Sequence, residues 1–502
     1  MRLSSRFAAL VACAACLALV VVACGSEPEV ERALTTVPQA RDDAPNVVVI
    51  MTDDQTVEQM RVMDRTNELL GDQGTTFSNF VTSFPLCCPS RTTFLTGQYA
   101  FNHGVTDNIG PNGGYYSLDN RNTLAVWLQR AGYATDFVGH YLYRYGVRER
   151  TEVPPGWDRW FSTIDPTTFH YYGYTVNDGG VLREFGNDPE DYQTDVMADR
   201  AVAEIEQLAE GDKPFFLNFW TLAPHVAEPE NSDDPDLQAV PAPRHRGVYE
   251  QEWWTAEQVP AFNEEDVSDK PLFVQLNGRF LPVTEVIAQA HYQRALESLL
   301  AVDEAVARIV DALERTGELD DTVIMFTSDN GYLQGEHRFR DAKTLPYEEA
   351  IRVPLLVRGP GFPAGATAPQ LTSNIDLAPT ILELAGVSGS LVMDGQSLLG
   401  LASDATPPDD DRAIYLQNGA ERGDQGATIP HWEGVRVPGY TYVEYDRGGR
   451  ELYDLNADPA QLDNRAGDPA YAALQRELAD LLEELRGCEG DTCREPRFAA
   501  SQ

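Results

Sequence analysis

Lysine is nearly missing from this chain of 502 residues, and arginine supplies almost all of its positive charge. The lysines are Lys213, Lys270 and Lys343, and the formal net charge is −41, from 38 basic and 79 acidic residues. Because nucleic-acid binding needs a basic face for the phosphates, this balance argues against a nucleic-acid partner. It also disfavours a long polyanionic glycan unless a cleft is locally basic, and we interpret most of the acidic residues as solvated surface.

Long apolar runs are missing after residue 23, so the later sequence offers no membrane-spanning segment. Residues 1–6 are basic and residues 7–23 are almost entirely apolar, which predicts a signal peptide. The segment ending in Val-Val-Ala-Cys24 resembles a bacterial lipobox. We therefore expect a signal peptide with lipobox over residues 1–24 and a lipid anchor on Cys24 that holds the exported protein at a membrane surface. Secretion after a plain signal peptide is the alternative, and the polar residues 25–44 predict a linker.

Cysteine is also scarce, and its positions limit what it can do. Of the seven cysteines, two fall within the signal peptide and Cys24 is the expected lipid site. Cys488 and Cys493 are close enough in the sequence to form a small disulfide in an oxidising compartment. No second Cys or His pair follows at zinc spacing, which argues against a zinc site. Cys87 and Cys88 remain, as small buried side chains, disulfide partners or chemically modified residues.

Two apolar runs predict strands that are buried on both faces of a parallel sheet, and each run ends in acidic or amide residues. They are residues 46–51, followed by Asp53 and Asp54, and residues 322–327, followed by Asp329 and Asn330. Because ligand sites in open α/β sheets lie beyond the carboxyl ends of the strands, two such strands side by side would bring the four side chains together. Their oxygens suit a hard cation such as Ca²⁺. Helix capping is the ordinary alternative for an acidic residue after a strand.

The rest of the chain predicts a large α/β domain and a smaller one after it. An amphipathic helix is predicted from about residue 284 to residue 315. The segment 144–188 is rich in aromatic residues and predicts loops that shape a pocket, with an edge subdomain as the alternative. The insertion at 228–277 has no pattern that predicts its structure. The polar residues 400–412 predict a domain boundary. Beyond it, alternating strands and a closing helix predict a small antiparallel sheet with one packed helix.

The most informative stretch begins at Cys87. It runs Cys-Cys-Pro-Ser-Arg from Cys87 to Arg91 and continues Thr-Phe-Leu-Thr-Gly from Thr93 to Gly97. A thiol and a cation thus lie beside the start of a helix, where backbone N–H groups and the helix dipole favour an anion. The pattern resembles the signature of type I sulfatases, in which the cysteine is oxidised to formylglycine after translation.

The resemblance implies a fold and an activity. The fold would be an α/β, alkaline-phosphatase-like sandwich with a large mixed central sheet and a smaller C-terminal α+β domain. We expect the catalytic domain at residues 45–400 and the C-terminal subdomain at residues 413–495. The activity would be hydrolysis of a sulfate monoester, on a sulfated sugar or an aryl sulfate, with one Ca²⁺ and a formylglycine hydrate as the nucleophile. A formylglycine-generating enzyme would be the maturation partner.

The resemblance also implies a role for each residue that matches the family. Cys87 would become the formylglycine and Arg91 would hold it, while His225 and Lys343 would bind sulfate and assist the leaving group. Lys343 is one of only three lysines in the chain. His337 is a further candidate for the substrate pocket wall. The implied metal ligands are Asp53, Asp54, Cys87, Asp329 and Asn330.

One position departs from the family pattern. Where the family usually has a lysine that touches both sulfate and nucleophile, this chain has His140 after Gly139. Our hypothesis is that His140 binds sulfate when protonated, or acts as a base near neutral pH. A weakened or altered activity is the alternative. We interpret the other lone histidines as ordinary surface groups; they are His103, His170, His245, His291 and His431.

Local sequence also indicates a branch of the family. The segment from Asn102 to Val105, and Tyr141-Leu142 after His140, most resemble the N-acetylglucosamine-6-sulfatase-like and arylsulfatase branch. Two other functions are open on the residues alone. One is a phosphomonoester or phosphonate hydrolase of the same superfamily, although a phosphatase would have a Ser or Thr nucleophile and two metals. The other is a non-catalytic lipoprotein that binds sulfated glycans, which the missing lysine at position 140 would explain.

Overall fold

We describe the fold from a computed structural model. The described residues are 39–227, 238–255, 258–401, 411–419, 421–422 and 428–499, with backbone alone at 421, 422 and 428. The predicted signal peptide at residues 1–24, the lipid anchor on Cys24 and the linker up to residue 38 lie outside the described residues. So do most of the predicted boundary at 400–412 and part of the insertion at 228–277.

The secondary structure alternates between strands and helices along most of the chain. The strands are β1 (Asn46–Asp53), β2 (Thr75–Phe77), β3 (Phe80–Val81), β4 (Ala134–Gly139), β5 (Arg159–Thr163), β6 (Thr175–Asp178), β7 (Val181–Glu184), β8 (Phe215–Pro224), β9 (Thr322–Ser328), β10 (Leu355–Arg358), β11 (Ala366–Ala368), β12 (Thr372–Ser373), β13 (Ile414–Gln417), β14 (Glu421–Arg422), β15 (Thr428–Ile429), β16 (Trp432–Val437), β17 (Tyr440–Tyr445) and β18 (Arg450–Asp454). The α-helices are α1 (Asp64–Thr66), α2 (Cys87–Thr96), α3 (Ala100–His103), α4 (Leu124–Arg130), α5 (Gln193–Leu208), α6 (Leu272–Gln275), α7 (Pro282–Thr316), α8 (Glu348–Ile351), α9 (Leu377–Ala385), α10 (Ala472–Leu485) and α11 (Asp491–Arg494).

A mixed sheet of ten strands forms the centre of the protein, in the order β11-β2-β10-β9-β1-β8-β4-β5-β6-β7. Strand β1 lies between β9 and β8 and is parallel to both, and β4 is parallel to β8. The side chains of Val47, Val48, Val49 and Ile50 are 0% exposed, so both faces of β1 are covered. Burying one such side chain contributes about 1.5–3 kcal/mol, which explains why an uninterrupted apolar run occupies this position. The two strands predicted from sequence are confirmed.

Helices cover both faces of this sheet. Helices α5 and α7 pack together and against β8 on one face, and α4 and α9 pack on the other face with α2. The predicted helix at 284–315 is α7, which starts at Pro282 and ends at Thr316. The next residue, Gly317, has φ of 83°, a conformation that a side chain would disfavour. These layers are the predicted sandwich.

The aromatic region 144–188 supplies strands as well as loops. Strands β5, β6 and β7 extend the central sheet, with β5 parallel to β4 and the next two antiparallel. The region is therefore an edge of the main sheet, and its aromatic residues pack there. Trp160, for example, is 1% exposed and stacks on Phe137 at 4.6 Å between ring centroids.

The C-terminal part forms its own antiparallel sheet, in the order β13-β16-β17-β18. Helix α10 packs on β16 and β17 through leucines such as Leu478 and Leu482, which are 0% exposed. The predicted disulfide joins Cys488 and Cys493. The indole Nε1 of Trp432 donates to the carbonyl of Thr344 at 2.8 Å, so this sheet also holds the segment that carries Lys343.

Residues just before the predicted domain start at residue 45 are hydrogen-bonded to the main domain. The backbone N–H of Ala40 donates to the carbonyl of Ala131 at 2.9 Å, and that of Arg41 to Ala385 at 3.1 Å. The last residues of the predicted linker are thus already fixed to the helices α4 and α9. Within the residues described above, no helix is both long enough and apolar enough to cross a bilayer.

Candidate active site

Four neighbouring parallel strands end at the candidate site. Their order is β9-β1-β8-β4, and each is followed by a polar residue that sequence analysis had singled out. Asp329 follows β9, Asp54 follows β1, His225 follows β8 and His140 follows β4. The parallel register brings the residues after β1 and β9 together, as predicted. It also places the residues after β8 and β4 at the same end of the sheet. Asp54 has φ of 71°, an uncommon conformation for a non-glycine residue that is often found at functional sites.

Gly139 makes the approach of β4 possible. A Cβ atom at this position would lie 1.8 Å from the carbonyl oxygen of Trp220, and the φ angle of Gly139 is 133°. Only glycine fits so close to the neighbouring backbone. The residue before His140 is therefore fixed by the packing of β4 against β8.

Cys87 is the first residue of the helix α2 and is 3% exposed. Its Sγ lies 3.0 Å from Nζ of Lys343 and 3.5 Å from Oδ1 of Asp53. Burial, and then the charge of Asp53, raise the pKa of the Cys87 thiol. The encoded thiol is thus a poor source of thiolate in this site, since it faces carboxylates at close range. Within the described residues, Cys87 and Cys88 form no disulfide.

Arg91 connects the carboxylates from two strands. It is 0% exposed, and its guanidinium reaches Asp53 Oδ2 and Asp329 Oδ2, each at 2.8 Å. It also donates to the carbonyls of His140 at 2.7 Å and Tyr141 at 2.8 Å. Although burial lowers the pKa of Arg91, the two carboxylates raise it more, so the side chain stays charged. Arg91 therefore fixes the ends of three strands around one permanent charge.

The acidic side chains lie so close together that a cation between them would relieve their mutual repulsion. Oxygen atoms of Asp53, Asp54 and Asp329 lie within 4.8 Å of one another. Burial, and then the charge of Asp53, raise the pKa of Asp329 to about 7. Burial also works against ionisation of Asp53, but His225 and Arg91 hold its pKa below its usual range.

Two oxygen atoms in this cluster lack a hydrogen-bond partner among the residues that the structure describes. They are Oδ2 of Asp54 and Oδ1 of Asn330, both buried. The amide Nδ2 of Asn330 donates to Oδ1 of Asp54 at 2.5 Å, which leaves the amide oxygen available. The three carboxylates and the amide oxygen of Asn330 are oxygen donors of the kind that Ca²⁺ prefers, and buried oxygens without a partner are rare unless a ligand, ion or water satisfies them. The residues present therefore fit a divalent cation.

Lys343 and His225 bring nitrogen atoms to the same cluster. Nζ of Lys343 lies 2.7 Å from Oδ1 of Asp54. Burial lowers the pKa of Lys343, but Asp54 and the other acidic groups raise it more, so it remains an ammonium. His225 has Nε2 3.6 Å from Oδ2 of Asp54, and Nδ1 2.7 Å from the carbonyl of Val226. Because a carbonyl oxygen only accepts, Nδ1 carries the hydrogen and Nε2 faces Asp54.

His140 is buried in the same wall. Its Nδ1 lies 3.2 Å from Oδ2 of Asp53, and its ring meets Phe169 edge-on at 5.0 Å. Burial, and then the charge of Arg91, lower the pKa of His140 to about 4. Position 140 thus holds a neutral imidazole at neutral pH. A neutral imidazole fits a role as a general base better than a role as a protonated sulfate ligand. The role of His140 stays a prediction.

His337 has partners of its own. It is 0% exposed, its Nδ1 lies 2.7 Å from Oε2 of Glu264, and its ring stacks on Tyr347 at 3.9 Å. These contacts give it a packing role behind the segment that carries Lys343. Its predicted part in the substrate pocket wall stays a prediction.

The interpretation of the other histidines as surface groups was wrong for His291. His103 is half-buried, and its Nε2 contacts Oγ1 of Thr93 at 3.1 Å. His291 is 3% exposed, contacts Asp341, and lines the same small pocket as Asp54. The signal for His291 was its place on the buried face of α7, one turn from Ala288 and Ala295.

The fold and this cluster define an alkaline-phosphatase-like hydrolase, with carboxylates from adjacent strand ends around a nucleophile position. The Sulfatase family matches residues 45–387, which is more than half of the chain, and the family described as N-sulphoglucosamine sulphohydrolase, C-terminal, matches residues 335–487. The chain belongs to the sulfatase family, and its enzyme class is that of a sulfuric ester hydrolase.

Relatives with known names support the predicted branch. Human N-acetylglucosamine-6-sulfatase is 33% identical over 497 residues, which cover 90% of this chain and 86% of the human protein. An arylsulfatase of Volvox carteri is 34% identical over 506 residues, which cover 91% of this chain and 77% of that protein. A solved structure of a protein in complex with its substrate D-glucosamine-2-N,6-O-disulfate is similar, with a TM-score of 0.72 and 25% identity, over 90% of this chain and 99% of that chain.

Proposed function

We propose that this protein is an exported, formylglycine- and Ca²⁺-dependent sulfatase that removes a sulfate ester from a sugar. The observation that carries the proposal is the position of Cys87. It starts a ten-residue helix and lies 3.0 Å from an ammonium group and 3.5 Å from a carboxylate of the candidate metal cluster. A sulfate monoester needs a nucleophile, positive charge and a proton for its leaving alcohol, and this cluster offers a place for each.

The candidate metal ligands are Asp53, Asp54, Asp329 and Asn330, with the side chain at position 87 as a fifth. The unpaired oxygens of Asp54 and Asn330 support this set. When bound, Ca²⁺ would supply positive charge for the sulfate oxygens, and formylglycine at position 87 would supply an oxygen nucleophile in its hydrated form. The raised pKa of the unmodified Cys87 thiol supports conversion over direct thiolate chemistry.

Arg91, in this proposal, positions groups and moves no proton. Its four hydrogen bonds of 2.7–2.8 Å hold Asp53, Asp329 and the backbone after β4. A carboxylate held by a guanidinium keeps its charge and its direction, which a metal ligand needs. The arrangement is therefore fixed before the substrate arrives, and no binding energy is needed to order it.

Lys343 and His225 would serve the substrate directly. The ammonium of Lys343 already touches the side chain at position 87, so it would stabilise negative charge on a sulfate oxygen bound there. Nε2 of His225 faces the cluster while Nδ1 is held by a carbonyl. With Nδ1 held as a donor, Nε2 would hand a proton to the leaving oxygen from the imidazolium form of His225, which carries a hydrogen on both ring nitrogens. We retain His140 as a candidate base beside Asp53.

The substrate we propose is a sulfated amino sugar, with aryl sulfates as simpler substitutes. The names of the relatives support this choice, as does the strongly acidic chain, which disfavours long polyanions. We further propose a lipid anchor on Cys24 after removal of the signal peptide, and maturation by a formylglycine-generating enzyme. The domain limits at 45–400 and 413–495 remain part of this proposal.

The first test is mass spectrometry of the peptide that contains Cys87, from protein made in its native host and with a co-expressed formylglycine-generating enzyme. An aldehyde at position 87 is expected. Protein with this aldehyde should hydrolyse N-acetylglucosamine 6-sulfate and 4-nitrophenyl sulfate faster than the matching phosphate and phosphonate esters. An unmodified thiol in both preparations contradicts the mechanism, and a preference for phosphonate would favour the related hydrolase class.

A further inference from the structure

A small pocket beside Asp54 has no role in the chemistry proposed above. Asp54, His291, Tyr332, Gln334 and Asp341 contribute to its lining. His291 comes from α7, whereas the other four follow the central strands β1 and β9. The long helix on one face of the sheet thus places a single imidazole at the edge of the candidate active site.

The orientation of His291 is fixed from behind. Its Nδ1 lies 2.8 Å from Oδ1 of Asp341, and Oδ2 of Asp341 accepts from Nε of Arg340 at 2.6 Å. A carboxylate paired with arginine only accepts hydrogen bonds, so Nδ1 of His291 carries the hydrogen. Nε2 then holds a lone pair. The three side chains form a chain of contacts that sets both the ring plane and the tautomer.

Among the described residues, the lone pair of His291 has no hydrogen-bond partner. Nε2 is buried and makes no hydrogen bond, although the residue is only 3% exposed. Burying a polar atom without a partner destabilises a fold, and such atoms are rare unless a ligand or water satisfies them. This atom borders the pocket that Asp54 also lines. The part of the chain that the structure describes therefore supplies no hydrogen-bond donor at this point next to the candidate metal ligand.

We propose that His291 positions the substrate by accepting a hydrogen bond at Nε2 from a free hydroxyl of the sugar that carries the sulfate ester. This inference rests on the proposed function and names a specificity element of that site. A hydroxyl is small, neutral and a donor, which matches a confined pocket whose acceptor is a lone pair. A second sulfate or a carboxylate would meet that lone pair together with the carboxylates of Asp54 and Asp341, and would be repelled.

The test compares two substrates on the same enzyme. N-acetylglucosamine 6-sulfate offers sugar hydroxyls and 4-nitrophenyl sulfate offers none. In His291→Ala, the ratio of kcat/KM for the sugar over the aryl ester should fall about 10-fold, because a site built to bond a hydroxyl loses its discrimination when the acceptor is removed. His291→Gln should restore part of the ratio, since its amide oxygen also accepts. His431→Ala is the matched control, because His431 directly precedes β16 in the C-terminal sheet, and it should leave the ratio at the wild-type value.

Monodeoxy analogues of the sugar identify the hydroxyl. One analogue should lose about 10-fold in kcat/KM with the wild-type enzyme and lose nothing further in His291→Ala, because the interaction can be removed only once. Asp341→Ala should reproduce the His291→Ala pattern by releasing the ring. If His291→Ala lowers kcat/KM by the same factor for every deoxy analogue as for the full sugar, His291 does not bind a substrate hydroxyl.

Other outcomes separate this inference from the proposed function. Equal losses on sugar and aryl esters, or no loss on either, would overturn the role of His291 while leaving a working sulfatase. If wild-type protein with the aldehyde at position 87 hydrolyses neither ester, the proposed function fails. Calorimetry with N-acetylglucosamine 6-sulfate then decides the inference: a roughly 10-fold weaker Kd in His291→Ala supports it, and an unchanged Kd contradicts it.

Discussion

Replacing Arg91 with alanine should destabilise the protein strongly. The guanidinium is 0% exposed and lies 2.8 Å from a carboxylate oxygen of Asp53 and 2.8 Å from one of Asp329. Removing it leaves both carboxylates buried and facing each other without their shared cation. Breaking a buried ion pair by deleting one partner costs about 3–5 kcal/mol, and here two carboxylates lose the same partner. We expect the free energy of unfolding to fall by at least the lower end of that range.

The assay is denaturant unfolding of wild type and Arg91→Ala, each with Ca²⁺ and with chelator. Arg315→Ala is the matched control, because Arg315 also bridges two carboxylates, Glu206 and Asp311, at 2.9 Å each, but is half exposed. Solvent screens that pair, so its loss should be far smaller. Ca²⁺ should recover part of the stability of Arg91→Ala, because a cation can replace the missing charge between the carboxylates. A loss below about 1 kcal/mol, or one equal to that of Arg315→Ala, would refute the reasoning.

Three more predictions concern the metal site, Lys343 and His103. Chelation should lower the melting temperature of the wild type. Ca²⁺ at 100 times its Kd should raise the free energy of unfolding by about 2.7 kcal/mol. A melting curve that is the same with Ca²⁺ and with chelator would contradict the metal site. Lys343→Ala should lower kcat by about 10²–10³-fold while the exposed Lys213→Ala keeps wild-type turnover, and similar activity in the two variants would remove Lys343 from the mechanism. Burial lowers the pKa of His103 from 6.5 to about 3, so the unfolded chain binds a proton that the folded chain does not, and stability should fall as pH drops from about 6.5. His103→Asn should flatten this fall by about 1.4 kcal/mol per pH unit between pH 4 and 6, and parallel pH curves would contradict the assignment.

The sequence was sufficient for the parts of the fold that repeat a simple rule. An apolar run with polar residues at its end predicts a buried parallel strand and a ligand edge, and β1 and β9 obey this rule. The side-by-side placement of Asp53, Asp54, Asp329 and Asn330 then followed, because β1 pairs with β9 in parallel register. The disulfide between Cys488 and Cys493 followed from their short separation in the sequence.

What escaped prediction depends on contacts between distant parts of the chain. The aromatic region 144–188 adds strands β5 to β7 to the main sheet, and that pairing depends on the edge that β4 offers rather than on local periodicity. His291 resembles any histidine on a helix, and only the fold places Asp341 against its Nδ1. In the same way, the packing of His337 between Glu264 and Tyr347 joins three separate segments.

The charge of the site explains how so acidic a chain can act on an anion. The cluster holds three carboxylates, those of Asp53, Asp54 and Asp329, against the two permanent cations Arg91 and Lys343. With all three carboxylates ionised, this leaves one net negative charge, which would repel a sulfate ester. A divalent cation in the proposed site would reverse the sign and leave one net positive charge, enough to attract a monoanionic ester within a surface that repels anions generally. Substrate affinity should therefore depend on the metal itself, and since the surrounding charge is so negative, the attraction would be confined to the end of the strands where Cys87 lies.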